Sequence, residues 1–309
     1  MVNIFCIGRN NVDVYLKYKM VYPGGNCSNV AAHFAKLGHQ ASLMTVVGDD
    51  VLGRLQLGSL KKLGVDITPS RVEKGHTAWC CIRHERGNRE FVKSDLSIFR
   101  ENLLTAADVG HVREKTYDVI YTSTCVDSFF AEGVMESLGS YKIPVCCDFA
   151  DKWEKDKLYK ACAYIHYPYL SCESYSLEET MEVLEKCVEH GAVLALGTRG
   201  MEGSVVYNGR KFYHQQAYRL PIVDTLGAGD SFLARFSMCY FQGMKEIALT
   251  ELADCGDKEE CLEMVQDSLI TYSLRMAALY AAHVCGHYGG YGMGIPFYSE
   301  MIGMEEKDL

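Results

Sequence analysis

Asp224-Thr225-Leu226-Gly227-Ala228-Gly229-Asp230-Ser231-Phe232 is the stretch on which the reading of this chain turns. It follows the apolar run Leu220-Pro221-Ile222-Val223, which reads as a strand end. A helical pattern opens behind it, with Phe232, Phe236 and Tyr240 at i, i+4 and i+8. Two glycines thus stand at a strand-to-helix turn, and an aspartate stands in the first helical turn. Glycine lets backbone approach a ligand closely, and the first N–H groups of a helix have no partner within it. The helix dipole adds positive charge at the same place. Such a hollow suits a phosphate, and Asp230 beside it suits a base acting on an attacking hydroxyl. The plain alternative is a turn with an N-cap. Two other phosphate fingerprints are excluded: the dinucleotide pattern needs a small residue where Phe232 stands, and the P-loop string G-x-x-x-x-G-K-[ST] is absent.

The rest of the chain bounds the answer. Its 309 residues are 48% hydrophobic, enough for one large α/β domain or two small ones. A net charge of -9 without a basic block argues against nucleic acid or an anionic membrane as partner. The 14 cysteines include no C-x-x-C. The adjacent pairs Cys80-Cys81 and Cys146-Cys147 lie in strand-like runs, where neighbours face opposite sides. They read as small core residues of a reducing compartment rather than as a disulfide framework or a zinc site. Met1 to Gly8 lacks the basic start of a signal peptide, and no apolar run approaches membrane-spanning length, so the expected location is cytoplasmic.

Taken in order, the periodicities predict an α/β chain. Val14–Tyr22 alternates as one half-exposed strand and stops at Pro23-Gly24-Gly25. A helix follows over Asn26–Leu37, a buried strand over Ala41–Val47, and a helix from Gly48-Asp49-Asp50 through Leu63. Thr77–Arg83 and Arg89–Lys93 form a hairpin. Strands are then expected at Val119–Thr122, Val145–Phe149, Ala163–His166 and Val193–Gly197, with helices between them. That alternation implies a doubly wound, mostly parallel sheet flanked by helices. The two early β segments, about residues 12–24 and 75–95, do not fit that sheet and read as a small β lid on a single domain spanning 1–309.

The string Asp224 to Asp230 resembles the C-terminal signature of the ribokinase-like sugar kinases, the PfkB carbohydrate kinase family. Gly24-Gly25-Asn26-Cys27-Ser28-Asn29, Gly48-Asp49-Asp50-Val51-Leu52-Gly53 and Thr198-Arg199-Gly200-Met201-Glu202-Gly203 are similar to other family signatures and run in family order. The resemblance implies a ribokinase-like fold and ATP-dependent phosphorylation of a sugar hydroxyl, with Mg²⁺ and, in some relatives, a monovalent cation, which here would lie near Asp224. It gives Asp230 the role of catalytic base and the backbone of Gly227, Ala228 and Gly229 that of anion hole. Asp13, Gly25 and Asn29 would hold sugar hydroxyls; an acceptor, close backbone and an amide suit a polyol. Taken alone, Asp13 reads equally as a turn cap. Thr198, Gly200 and Thr225 fall on the nucleotide side, although Thr225 also reads as a cap of the glycine turn.

Asp13-Val14-Tyr15 with Gly24-Gly25-Asn26, and Asp148-Phe149-Ala150-Asp151-Lys152-Trp153, resemble most the members that phosphorylate the 6-hydroxyl of fructoselysine. Arg89 on the lid hairpin, with Lys93 as alternative, is then the candidate for the amino acid's carboxylate; taken alone it reads equally as a solvated charge. Trp153 reads as packing. The family's Asn-x-x-Glu motif for magnesium is not intact in Ser171-Cys172-Glu173-Ser174-Tyr175-Ser176-Leu177-Glu178, which leaves Glu173 or Glu178 to act through water. The lid implies a homodimer, with Tyr18 or Trp79 on its exposed apolar face. Ribose, fructose or adenosine as substrate, or a catalytically silent sugar-binding regulator on the same fold, are the alternatives.

Overall fold

A computed structural model describes residues 1–85, 88–123, 133–151, 153–249 and 258–304. The chain begins with β1 (Asn3–Ile7), β2 (Asn11–Tyr15), β3 (Met20–Gly24), α1 (Asn26–Lys36), β4 (Gln40–Met44) and β5 (Val46–Gly48). Next come α2 (Val51–Lys62), β6 (Arg71–Glu73), β7 (Trp79–Glu85) and β8 (Asn88–Asp95). Short helices α3 (Ser97–Glu101) and α4 (Ala106–Val109) lead to β9 (Val119–Ser123). Then follow α5 (Val134–Gly139), β10 (Val145–Asp148), α6 (Lys155–Ala161), β11 (Tyr167–Ser171), α7 (Leu177–Glu189) and β12 (Ala195–Thr198). The chain closes with β13 (Ser204–Tyr207), β14 (Phe212–Gln215), α8 (Ala228–Leu249), α9 (Lys258–Val284) and β15 (Ile295–Pro296).

The main sheet has the order β14-β13-β12-β11-β10-β9-β1-β4. From β12 to β4 all pairs are parallel, and β13 and β14 add an antiparallel edge. Both faces are buried, as a parallel sheet requires. Ile4, Cys6, Tyr121, Cys146 and Tyr169 pack with Val30 and Phe34 of α1, Phe236 of α8 and Leu274 of α9. Phe5, Ile7, Ile120 and Cys147 point the other way, onto Leu138, Leu158 and Leu184 of α5, α6 and α7. Cys146 and Cys147 thus split between the two cores as a strand pair must. Burial raises the Cys146 thiol to about 12, so it behaves as a packing group. Cys261 in the first turns of α9 is disulfide-bonded, which the composition did not lead one to expect.

The second sheet, β15-β3-β2-β7-β8, gathers the two early β segments expected to form a lid. Val14–Tyr22 is not one strand: Leu16–Tyr18 form a 3₁₀ turn and Lys19 takes φ +47°, so β2 and β3 make a hairpin. β7 and β8 form the expected second hairpin, whose turn lies outside the described residues. Trp79 is not on an exposed face. It is 4% accessible and packs with Val12, Val14, Val21 and Cys81 under Leu52 of α2 and the chain's own Phe297 and Ile302. The C-terminal segment also pairs β15 with β3, so the face expected to meet a second subunit through Trp79 is covered within one chain. Tyr18 stays 38% exposed against Tyr288.

Three expected strands are displaced. Ala163–His166 forms a turn, and β11 starts after it at Tyr167. Ala41–Val47 divides at Thr45: β4 belongs to the main sheet and β5 pairs with β6. Leu220–Val223 is not a strand but irregular backbone.

Candidate active site

The turn from Asp224 to Asp230 is built by its own side chains and by a distant glycine segment. Asp224 is buried, and its Oδ1 accepts from the Leu226 N–H at 3.0 Å, folding the turn. Gly227 takes φ +75°, and a Cβ there would stand 2.6 Å from Cα of Gly290. Only glycine fits, for conformational and steric reasons together. Asp224 Oδ2 accepts from the Gly289 N–H at 3.0 Å and from the Tyr15 hydroxyl of β2. Donors thus reach both oxygens of this buried carboxylate. Around Gly229 nothing lies within 4 Å of where a Cβ would stand, and α8 begins there with its dipole directed at open space.

Asp230 stands in the first turn of α8, partly buried, and accepts from Asn29 Nδ2 at 2.6 Å. Asn29 is 3% exposed on α1, and its Oδ1 is buried without a partner among the described residues. Gly290 is held against this amide: a Cβ there would meet Asn29 Oδ1 at 2.6 Å. Gly25 caps α1 at φ +92°, where a Cβ would collide with Cα of Asn10 at 2.6 Å. Asp13 on β2 is buried and accepts from Asn11 Nδ2 at 2.7 Å. A Cβ on Gly24 would stand 2.1 Å from Asp13 Oδ2, so the Gly-Gly pair makes room for this carboxylate as well as for the helix start. Both amide atoms of Asn10 are also buried without a partner among the described residues. Orphaned buried polar atoms cost stability and mark a place for a polar ligand.

On the other side of the turn lies a cavity of about 370 Å³. Thr198, Gly200, Thr225, Ala228 and Gly229 line it, together with Glu173 and the apolar Met201, Tyr218, Leu220, Ile222, Ala278 and Cys285. Its size and mixed walls suit a flat apolar group with a polar tail. The irregular segment Leu220–Val223 is therefore a wall of this cavity, and its exposed Leu220 and Ile222 have a use there. Gly200 takes φ +54°, with Oε1 of Glu173 2.4 Å from where its Cβ would be. Glu173 thus lies across Gly200. Glu178 is exposed in the first turn of α7 and is not among the cavity residues.

Other expected residues fall elsewhere. Arg89 is on β8 opposite His84, and its side chain lies outside the described residues, as does Lys152. Trp153 stacks on Tyr175 at 4.8 Å, so it is packing. Sequence reasoning missed Tyr15, Asn26 and the role of Gly289-Gly290. Asn26 Nδ2 donates to Asp148 Oδ2 at 2.8 Å, joining the start of α1 to the end of β10. Burial, only partly offset by hydrogen bonds from Ala150 N and Asn26, raises the Asp148 carboxyl.

These features match known proteins over most of the chain. The pfkB family carbohydrate kinase profile matches residues 2–104 and 170–292. The fructosamine kinase FrlD of Bacillus subtilis (strain 168) is 33% identical over 310 residues, covering 99% of both chains. The fructoselysine 6-kinase of Escherichia coli (strain K12) is 28% identical over 245 residues, 79% of this chain and 91% of that one. Among solved structures, the fructokinase with bound ATP from Xylella fastidiosa superposes with a TM-score of 0.74 at 18% identity, covering 97% of each chain. The aminoimidazole riboside kinase of Salmonella enterica gives 0.70 at 17% identity over 97% of this chain and 98% of that one. These likenesses bear on the ribokinase-like fold, and the sequence matches bear on the chemistry. Since the matched segments hold Asp13, Asn29 and Thr198 as well as the turn with Asp230, this chain belongs to the pfkB family of carbohydrate kinases and is a sugar kinase.

Proposed function

We propose that the chain transfers the γ-phosphoryl group of ATP to the 6-hydroxyl of fructoselysine or a related fructosamine. The observation that carries this reading is the place of Asp230. Its carboxylate is held by Asn29 on the sugar side, while its neighbours Ala228 and Gly229 wall the cavity on the other. A hydroxyl brought to Asp230 from the lid side would face a phosphoryl group lying over Gly227–Gly229. The base takes the proton as the oxygen attacks, and the helix start meets the charge of the moving group. Asp13, Gly25 and Asn29 hold sugar hydroxyls in this reading, and Asn10 adds two more polar atoms. Thr198, Gly200 and Thr225 lie along the nucleotide.

Among the described residues no cluster of three or more metal-binding side chains occurs, so Mg²⁺ has no all-protein cage. That fits an ion held mainly by ATP phosphates and water, with Glu173 as the carboxylate within the cavity. When bound, the ion neutralises charge on the phosphates; orienting the acceptor and removing its proton fall to this chain's own residues. The fructosamine kinase and the fructoselysine 6-kinase described above support the substrate class. Arg89, on the lid strand, is our candidate partner for the carboxylate of the glycated amino acid. No described helix is long and apolar enough to cross a membrane, which accords with a cytoplasmic sugar kinase.

The test is ADP release with MgATP over fructoselysine, glucoselysine, psicoselysine, fructose, ribose and adenosine. Turnover should be highest with a fructosamine. A preference for ribose or adenosine would move the chain to another branch of the family. ATP binding without turnover on any acceptor would favour a regulatory protein.

A further inference from the structure

Tyr15 is fully buried, lies on the lid strand β2 two residues beyond Asp13, and donates its hydroxyl to Asp224 Oδ2. The two residues are 209 positions apart. The same carboxylate folds the anion turn through Leu226 and holds Gly289, while the neighbouring Gly290 separates Gly227 from Asn29. One side chain of the lid therefore ends on the group that shapes the phosphate side. Its ring is fixed by Tyr22 at 4.8 Å, and the ring of Tyr288, next to Gly289, lies 6.3 Å away.

We propose that Tyr15 is a positioning residue: its hydroxyl latches the sugar lid to the anion turn through Asp224, so that occupying one side orders the other. Asp13 and Tyr15 share a face of β2, so a shift of this strand that moves the sugar site also moves the latch. Burial, followed by the negative charge of Asp224, pushes the phenol far above its usual range, so it remains a donor at any working pH. The hydrogen bond is charge-assisted and joins two buried groups, and such bonds are worth the most. Coupling carried by this bond is reciprocal in free energy: nucleotide on the anion turn raises sugar affinity by the factor by which sugar raises nucleotide affinity, and each ligand stiffens the segment that the other uses.

The inference rests on ATP as phosphoryl donor; its exchange test needs no sugar, and its kinetic test uses the acceptor that is turned over best. Hydrogen exchange is measured on the full chain with and without Mg²⁺ and the non-transferable analogue AMP–PNP, whose binding is followed in parallel by calorimetry. In the wild type, AMP–PNP should slow exchange both in the turn, residues 224–231, and in the lid, residues 11–24, by about tenfold. In Tyr15→Phe, which keeps the ring packing, the turn should still be slowed and the lid should not. kcat should fall by about ten- to a hundredfold, with KM for ATP changed less than about threefold. Should Tyr15→Phe fail to fold, Asp224→Asn leaves the Tyr15 ring in place and must uncouple the lid in the same way. In kcat the double variant should be no worse than the poorer single one. Lid slowing in Tyr15→Phe equal to that of the wild type overturns the latch, as does wild-type protein that binds AMP–PNP without slowing its lid. A wild type that does not bind AMP–PNP overturns the nucleotide reading instead, and the latch is then judged on the kcat cycle alone.

Discussion

The two halves of the site are built by opposite means. On the side proposed to hold the sugar, buried and half-buried polar groups tie one another down: Asn29 to Asp230, Asn11 to Asp13, Asn26 to Asp148. Space there is set by glycines whose missing side chains admit a carboxylate, an amide or a backbone. On the side proposed for the nucleotide the cavity is open, and apolar walls such as Met201, Leu220 and Ile222 alternate with a few polar side chains, among them Glu173, Thr198 and Thr225. The difference follows from the tasks. A sugar hydroxyl must be aimed to within a few tenths of an ångström, and only fixed hydrogen bonds do that. A purine needs a slot, and shape with burial suffices. Asp230 belongs to both halves, and Tyr15 spans them through Asp224.

The largest effect that bears on this division is expected at Asp230. Asp230→Asn keeps the shape and an Asn29 contact but cannot take a proton. It should lower kcat by roughly 10²–10⁴-fold while AMP–PNP affinity, measured by calorimetry, stays within about twofold. If nucleotide affinity fell with kcat, the two halves would not be separable. Arg89 sharpens the comparison within the sugar half. Arg89→Ala should cost about 1.5–3 kcal/mol in kcat/KM for fructoselysine, the usual worth of a hydrogen bond to a charged group. It should cost little for fructose or a decarboxylated analogue, and KM for ATP should not move. An equal loss on all three acceptors would give Arg89 a structural part, and no loss would place it in water.

What the sequence could reveal was what is local. The turn, Gly200, Gly25 and Asn29 were legible because each belongs to a short string whose residues act together. The alternation of strands and helices was legible because both faces of the sheet are covered, which forces continuously buried, largely apolar strands such as Val119–Ser123. Features set by distant contacts were not. Nothing near Tyr15 announces Asp224, and nothing near Gly289-Gly290 announces that they pass between Gly227 and Asn29. Trp79 was placed on an open face because the segment that covers it, Phe297 to Ile302, lies at the other end of the chain. The strand expected at Ala163–His166 failed for a related reason: Ile165 is buried, but in the turn ahead of the sheet. Leu220-Pro221-Ile222-Val223 was apolar for the cavity rather than for a strand, and composition does not distinguish the two.

The central claim is that Asp230, at the boundary of these halves, activates the primary hydroxyl of a fructosamine. It is tested most directly by locating the phosphate on the product. Fructoselysine turned over with MgATP and examined by two-dimensional ¹H–³¹P NMR should show phosphorus coupled to the protons on C6 and to no others. Phosphorus coupled to another position of the sugar, or ADP formed with inorganic phosphate and unmodified fructoselysine, would contradict it.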